Sequence, residues 1–436
     1  MRELIRQKVI DSLAAPPPVL TRRDVRVPGV PGKAVAVIGM RRSGKTTFLW
    51  QVLADRLVQG TPREGLMYFN FEDERLAGMT AGDLHLVVEE YYELHPHWRD
   101  RRRALFLLDE IQNVPGWERF VRRLLDTEHV EVFLSGSSAR LLSREVATSM
   151  RGRSMEAVVH PFSFREYLRH HGREPSQPAD RLPKATRSAV DKALREYLVC
   201  GGFPEAQGIA ERDRFELLKS YVDVALLRDV IERHAVSNPP ALRWMARHLL
   251  GNAGGSFSVH KFHEDLRSQQ VAVGKDTLHA YLAHLEDTFL IRTVSLATDS
   301  QRRRMVNPRK VYPIDPGLIP VFDRASRANV GHSLETSVLL ELERRGAEVA
   351  YVRTTDGVEV DFLARYFDRR EELIQVCADT DAPETRDREV RALRSAAAEH
   401  PRASLHLITL TPESAHAVPD QVTVHPGATW LLGSRT

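Results

Sequence analysis

This 436-residue chain predicts an α/β architecture built on a parallel sheet, and three stretches carry the prediction. A strand of Ala, Val and Ile at the head of VAVIGMRRSGKTTFLW ends in Gly39, crosses Met40 to Ser43, and restarts as a helical pattern at Gly44-Lys45-Thr46. Ala104 to Leu108 is a second apolar run and delivers Asp109 and Glu110 at its tip. Val130 to Leu134 is a third, followed by Ser135-Gly136-Ser137-Ser138. Short runs buried on both faces fit parallel strands covered by helices.

The first stretch matches G-x-x-x-x-G-K-[ST], a phosphate-binding P-loop. Its glycines let the backbone curl so that successive N–H groups face phosphate oxygens, and the new helix offers its positive end. Gly39, Met40, Arg41, Arg42, Ser43, Gly44, Lys45, Thr46 and Thr47 form the expected cradle. Lys45 is expected to reach the β- and γ-phosphates, and Thr46 to hold Mg²⁺. The second stretch reads as a Walker B strand. Asp109 is expected to hold Mg²⁺ directly or through water, and Glu110 to polarise the attacking water. ATP and Mg²⁺ are the implied ligands. After the third strand, Ser137 or Ser138 is expected to touch the γ-phosphate or the lytic water, the alternative being a serine turn that caps a helix. Arg151 and Arg153 bracket Gly152, and either fits an arginine finger on transition-state charge, one that could serve a neighbouring subunit.

Composition excludes several classes. At 42% hydrophobic and 28% charged residues the chain is globular, with length for two to four domains. A net charge of +3, from 62 basic and 59 acidic residues, is too balanced to argue nucleic-acid binding by itself, so any such case rests on local clusters. Cys200 and Cys377 provide neither a disulfide framework nor a zinc site and fit a reducing interior. With no signal-peptide pattern and no run of about 18 apolar residues, the reading is a cytoplasmic protein without membrane association.

The segments GMRRSGKTT, NFEDERL, LLDEIQNVPGWE, SGSSARLLSREVATSMRGRS, PFSFREYL, GGFPEA, TLHAYLAHLEDTFLI and NPRKVYPIDPGL, in this order, resemble a widespread prokaryotic AAA-type ATPase family. Its members pair a P-loop domain with a C-terminal domain of unknown function similar to the PD-(D/E)xK nuclease fold. The resemblance implies an oligomer and gives Gly39, Gly44, Lys45, Thr46, Asp109 and Glu110 the nucleotide roles derived above. Arg151 or Arg153 fits the family's arginine position.

The expected organisation is an N-terminal helical arm over 1–25, an ATPase core over 26–170, a helical lid over 171–238, a winged helix over 239–304 and a nuclease-like domain over 305–436. The winged helix reads as three compact helices and a strand pair, a pattern that serves either DNA or protein contacts. Lys275 lies on or near its third helix. QRRRMVNPRK places Arg302, Arg303, Arg304, Arg309 and Lys310, five cations in nine residues with no acid among them, a cluster suited to phosphates, with a solvated wing loop as the alternative. In the last domain Glu335 falls on a helix and Asp361 on a strand, but the D/E-x-K position reads Gln375-Val376-Cys377. Gln375 is a weaker Mg²⁺ ligand than a carboxylate and Cys377 supplies no fixed ammonium, so this site is expected to be degenerate. DAPETRDREVRALRSAAAEH reads as an exposed mixed-charge helix. The functional expectation is an ATP hydrolase that moves or remodels nucleic acid, with branched or duplex DNA favoured. An ATP-dependent switch acting on a protein partner and an ATP-regulated nuclease are the alternatives.

Overall fold

A computed structural model describes residues 1–99, 101–136, 150, 152–323, 329–378, 383–410 and 421–433. The chain divides into two compact units, Met1–His160 with Asp287–Phe289, and Pro161–Glu286 with Leu290–Thr436.

The first unit contains α1 (Arg2–Ala14), β1 (Ala34–Ile38), α2 (Lys45–Val58), β2 (Leu66–Asn70), α3 (Leu84–Leu94), β3 (Ala104–Asp109), α4 (Trp117–Thr127), β4 (Val130–Ser135) and β5 (Ser154–Val158). All five strands are parallel, in the order β2-β3-β4-β1-β5. Every residue of β1 and β3 is buried, as their uninterrupted apolar runs require. Val35 and Val37 pack with Phe48, Leu49 and Leu53 of α2 and with Leu105, Leu107 and Phe133 of the neighbouring strands. The order matters for chemistry. Because β4 lies between β1 and β3, the carboxyl ends of all three stand side by side, where ligands of open α/β sheets bind. Edge strand β2 is covered by α1, which buries Ile5 and Val9, ties Arg6 to Glu90 at 3.0 Å and Lys8 to Asp73 at 2.6 Å, and takes the Tyr68 N–H onto Ser12 Oγ at 3.1 Å.

The second unit begins with α5 (Phe164–His170), α6 (Lys184–Cys200), α7 (Glu211–Val224), a π-helical segment (Ala225–Ile231) and α8 (Pro239–Leu250). Then come β6 (Ser256–Phe257), α9 (Val259–Ser268), α10 (Lys275–Asp287), β7 (Ile291–Leu296), α11 (Gln301–Val306) and β8 (Arg309–Pro313). It closes with α12 (Val330–Arg344), β9 (Glu348–Arg353), β10 (Glu359–Arg365), β11 (Glu371–Cys377), α13 (Pro383–Glu399), β12 (Ser404–Thr409), β13 (Val422–Pro426) and α14 (Gly427–Leu431). The strands form one mixed sheet, β13-β12-β11-β10-β9-β7-β8-β6. β8 pairs antiparallel with β7 and β6, so it is continuous with the three-helix segment before it.

Two expectations change here. The arginine run is a helix rather than a wing loop: Ser300 accepts the Arg303 N–H at 3.3 Å and caps α11. And α13 is amphipathic rather than merely exposed, burying Val390, Leu393 and Ala396 against β10 to β12.

Three of the sequence segments meet at one buried carboxylate. Asp315 accepts the N–H of Gly202 at 2.6 Å and of Gly317 at 2.9 Å, while the Gly202 carbonyl takes the Phe162 N–H at 2.7 Å and the Tyr197 hydroxyl bonds the Phe162 carbonyl at 2.9 Å. A Cβ on Gly201 would lie 1.9 Å from the Asp315 carboxylate, so glycine is required there. Burial pushes the Asp315 carboxyl up to about 7, against the pull of the two N–H donors.

Candidate nucleotide-hydrolysis site

The loop after β1 is shaped by backbone that few residues tolerate. Gly39 has φ +150 and an added Cβ would meet the Val159 carbonyl at 2.2 Å; Gly44, which opens α2, has φ +99. Arg42 also sits at positive φ, 66. Inside the curl, the Lys45 ammonium lies 3.1 Å from the carbonyls of both Gly39 and Met40. Met40, Ser43 and Lys45 are buried, whereas Arg42, Thr46 and Thr47 are exposed and Arg41 is half-buried. The buried Ser43 hydroxyl has no hydrogen-bond partner among the described residues.

The acids lie two strands away. Asp109 is fully buried, and each of its oxygens receives a hydroxyl: Ser135 donates to Oδ1, and Tyr68 donates to Oδ2 at 2.7 Å. Burial and the Asp109 charge hold the Tyr68 phenol above its usual range, which keeps it a donor. Ser135 Oγ also accepts the Glu110 N–H at 3.1 Å, so one hydroxyl links both acids. Glu110 itself adopts the left-handed region, φ 54, and its carboxylate accepts from the Gln112 amide. Burial raises the Glu110 carboxyl, with Lys45 and Gln112 pulling it back, the direction that suits a general base.

Under the loop, Arg23 is buried and donates to the Ser43 carbonyl at 2.8 Å and to the His160 carbonyl, while its own backbone is bracketed by Gln51 at 2.6 and 3.0 Å. Arg23, Tyr68, Ser135 and Gln112 are the functional residues that sequence reasoning missed. Only Ser135 carried a signal, as the first polar residue of the serine run; Ser137, Ser138 and Arg151 lie outside the described residues.

Arg153 does not join this site. It precedes β5, its carbonyl accepts the Ala34 N–H at 2.9 Å, and its guanidinium pairs with Asp126. Because Ala34 to Ile38 runs beside Ser154 to Val158 in register, Arg153 stands at the opposite end of the strands from the P-loop, roughly 16 Å away at 3.3 Å per residue. At that distance Arg153 does not reach its own subunit's nucleotide.

The basic residues fare unequally. Lys275 and Arg302 to Arg304 are exposed and Arg309 is half-buried. Lys310 is not a phosphate contact: it is 4% exposed, and its ammonium lies 2.9 Å from both Asp361 and Glu359 and 3.6 Å from Glu335. Burial disfavours its charge, but these three carboxylates hold the ammonium well above its ordinary range. Asp361 sits at an irregularity of register between β10 and β9, which re-aims its side chain. Tyr312 donates to Glu335 at 2.7 Å, Gln375 accepts the Asp361 N–H at 3.1 Å and donates to Glu389 at 2.7 Å, and Cys377 is half-buried.

A triphosphate with Mg²⁺ fits the first unit. The Gly39 curl admits no side chain, Ser43 offers a hydroxyl without a partner among the described residues, and the first-turn amides of α2 have no carbonyl within the helix to bind. Thr46 and Asp109 would hold the ion, which when bound would neutralise charge on the phosphate oxygens. Among the described residues no group of three or more His, Cys, Asp or Glu could hold a metal ion. No described helix is long and apolar enough to cross a membrane.

Comparison with known proteins agrees with this geometry. Residues 31–168 match a family described as an AAA domain, and residues 191–328 match a domain of unknown function, DUF8612. An uncharacterised protein of Methanocaldococcus jannaschii, MJ1544, is 32% identical over 90% of this chain and 85% of its own length; one from Haemophilus influenzae is 31% identical over 80% and 82%. The chain belongs to the family of these relatives, and its residues 31–168 form an AAA domain. Among solved structures, the Walker-type ATPase PABY2304 of Pyrococcus abyssi aligns over 74% of this chain and 95% of its own, with a TM-score of 0.42 and 15% identity. The protein is an ATP hydrolase.

Proposed function

We propose that ATP turnover in this protein drives movement or remodelling of nucleic acid, with duplex or branched DNA the substrate to test first. The observation that carries the reading is α11. Arg302, Arg303 and Arg304 are consecutive and exposed, and among the described residues none forms an ion pair. Cations left without internal acid partners are available to phosphates, and neutralising several phosphates makes binding salt-dependent. Lys275, exposed at the start of α10, adds to the set.

The test is steady-state hydrolysis with and without single-stranded, duplex and branched DNA at two salt concentrations. DNA should stimulate turnover several-fold, and salt should weaken the effect. Reversing the charges of Arg302 to Arg304 should remove stimulation and leave basal turnover intact. Equal turnover with and without every DNA would overturn the reading.

In this reading the protein works as a homo-oligomer, with Arg153 or Arg151 supplied to a neighbour's nucleotide; support comes from the position of Arg153 at the strand end away from its own P-loop. The C-terminal segment is read as a nuclease-like fold whose cleavage site is closed by Lys310. A protein partner is the second reading, favoured by a groove of about 1290 Å³ in the second unit. Its floor includes Leu226, Trp244, Phe262 and Phe322, and its rim carries both Lys219 and Asp265. That volume exceeds the range of small-molecule pockets, and an apolar floor with a mixed-charge rim suits an amphipathic helix.

A further inference from the structure

Glu110 follows the Walker B strand in a strained left-handed conformation, and the residue that meets its carboxylate is Gln112, two positions on in a short 3₁₀ turn (Ile111–Asn113). An ionised carboxylate only accepts hydrogen bonds, so the amide must present its N–H to Glu110 Oε2. That fixes the direction of the other half of the amide. Gln112 Oε1 is buried and has no hydrogen-bond partner among the described residues. From bond lengths it lies about 2.2 Å from Nε2, the atom that meets Glu110 Oε2. A buried acceptor without a donor costs roughly 1–3 kcal/mol, so its persistence beside a catalytic acid points to a donor that arrives with the substrate.

We propose that Gln112 is a positioning residue for hydrolysis, holding the Glu110 carboxylate through Nε2 while Oε1 accepts one O–H of the lytic water. A water that attacks phosphorus has two protons to place. One goes to Glu110 and the second needs an acceptor, and with both fixed the oxygen lone pair is directed at the γ-phosphorus. The new O–P bond forms as the bond from γ-phosphorus to the β–γ bridging oxygen breaks. That electron pair leaves on ADP, Glu110 takes the first proton, and inorganic phosphate is released. Gln112 keeps its own protons throughout. The proposal rests on Glu110 being the base, which Glu110→Gln tests separately.

The experiment compares full-length wild type, Gln112→Met, Glu110→Gln and the double variant. Methionine keeps the length and volume of the side chain and removes both polar ends. Gln112→Met should lower kcat by about tenfold to a hundredfold, with KM and the affinity for a fluorescent ATP analogue plus Mg²⁺ within about twofold of wild type. In the Glu110→Gln background the same change should cost less than about twofold, because residues that act as a unit are not additive. An undiminished or increased kcat in Gln112→Met overturns the proposal, the increase meaning that Gln112 restrains Glu110 instead. An equal fold-loss in both backgrounds, or a loss of nucleotide affinity matching the loss in kcat, also overturns it. Normal turnover by Glu110→Gln removes the base assignment itself.

Discussion

Two acid clusters in this protein start from similar material and end in opposite states. In the first unit Asp109 is held by neutral hydroxyls, from Ser135 and Tyr68, and the P-loop ammonium of Lys45 rests on backbone carbonyls. In the second, Asp361, Glu359 and Glu335 surround the ammonium of Lys310, and Asp361 Oδ2 takes the Val376 N–H at 3.0 Å. Hydroxyl donors orient a carboxylate and leave its charge in place, so a divalent ion is attracted. A buried ammonium cancels charge, and a metal must then displace a covalently tethered cation. The same contrast shows in loose ends: among the described residues Ser43 Oγ and Gln112 Oε1 have no partner near the first cluster, while in the second Gln375 uses its oxygen and its nitrogen. Whether an acid pair is a metal site or a structural ion pair depends on whether the chain itself supplies the cation.

The largest expected effect lies on the catalytic side. Glu110→Gln should lower kcat about 10²- to 10⁴-fold while nucleotide binding persists, and Lys45→Ala should remove binding or turnover. Single-turnover hydrolysis beside nucleotide affinity checks this; normal hydrolysis in Glu110→Gln would erase the contrast from the first cluster.

Next is Lys310→Met. Leaving buried Glu335 and half-buried Asp361 without their ammonium should destabilise the second unit by about 3–5 kcal/mol, and millimolar Mn²⁺ or Mg²⁺ should recover part of the loss. Urea unfolding with and without the ion measures it. Unchanged stability would mean that Lys310 is dispensable and that the two clusters are alike.

Asp315 offers an intermediate case, a carboxylate satisfied by backbone N–H groups in a fully buried position. Its folded value, about 7, lies above the ordinary 3.8, so the folded state binds the proton more tightly. The stabilisation is therefore present below about pH 4 and lost as pH rises towards 7, a difference of up to about 4 kcal/mol. Unfolding free energies of wild type against Asp315→Asn across pH 4–7 should diverge in that sense, and parallel curves would contradict it.

Tyr68→Phe should have the smallest effect. Removing one orienting donor from Asp109 should raise the Mg²⁺ concentration for half-maximal nucleotide binding by about tenfold, with metal-free nucleotide affinity unchanged. An unaltered Mg²⁺ titration would show that Ser135 alone positions the acid.

Much of the first unit was legible because its signals are local. The P-loop is one contiguous turn whose glycines answer to backbone geometry at Gly39 and Gly44, and β3 announces itself by apolar residues on both faces followed by acids. Tyr68 gave no such signal, since its role depends on β2 lying beside β3 with Tyr68 opposite Leu107. Arg23 reads as an ordinary basic residue in a Pro- and Val-containing linker until the fold carries it beneath Ser43. The arginine run was legible as charge, but its helical form and the burial of Lys310 were not. β8 presents Lys310 and Tyr312 on one face, two residues apart, and only the packing of α12 and β10 supplies their acids.

By itself the sequence determined the phosphate cradle, the acid pair at the end of β3 and the parallel α/β character of the first half. Each is a property of adjacent residues, governed by allowed dihedrals, side-chain period and donor chemistry within a few positions of chain. Tertiary structure alone decided which hydroxyls hold Asp109, why Arg153 is barred from its own nucleotide, and where the ammonium of Lys310 goes. Those outcomes depend on strand order and on which distant groups are buried together, and burial sets the strength of every charge interaction involved.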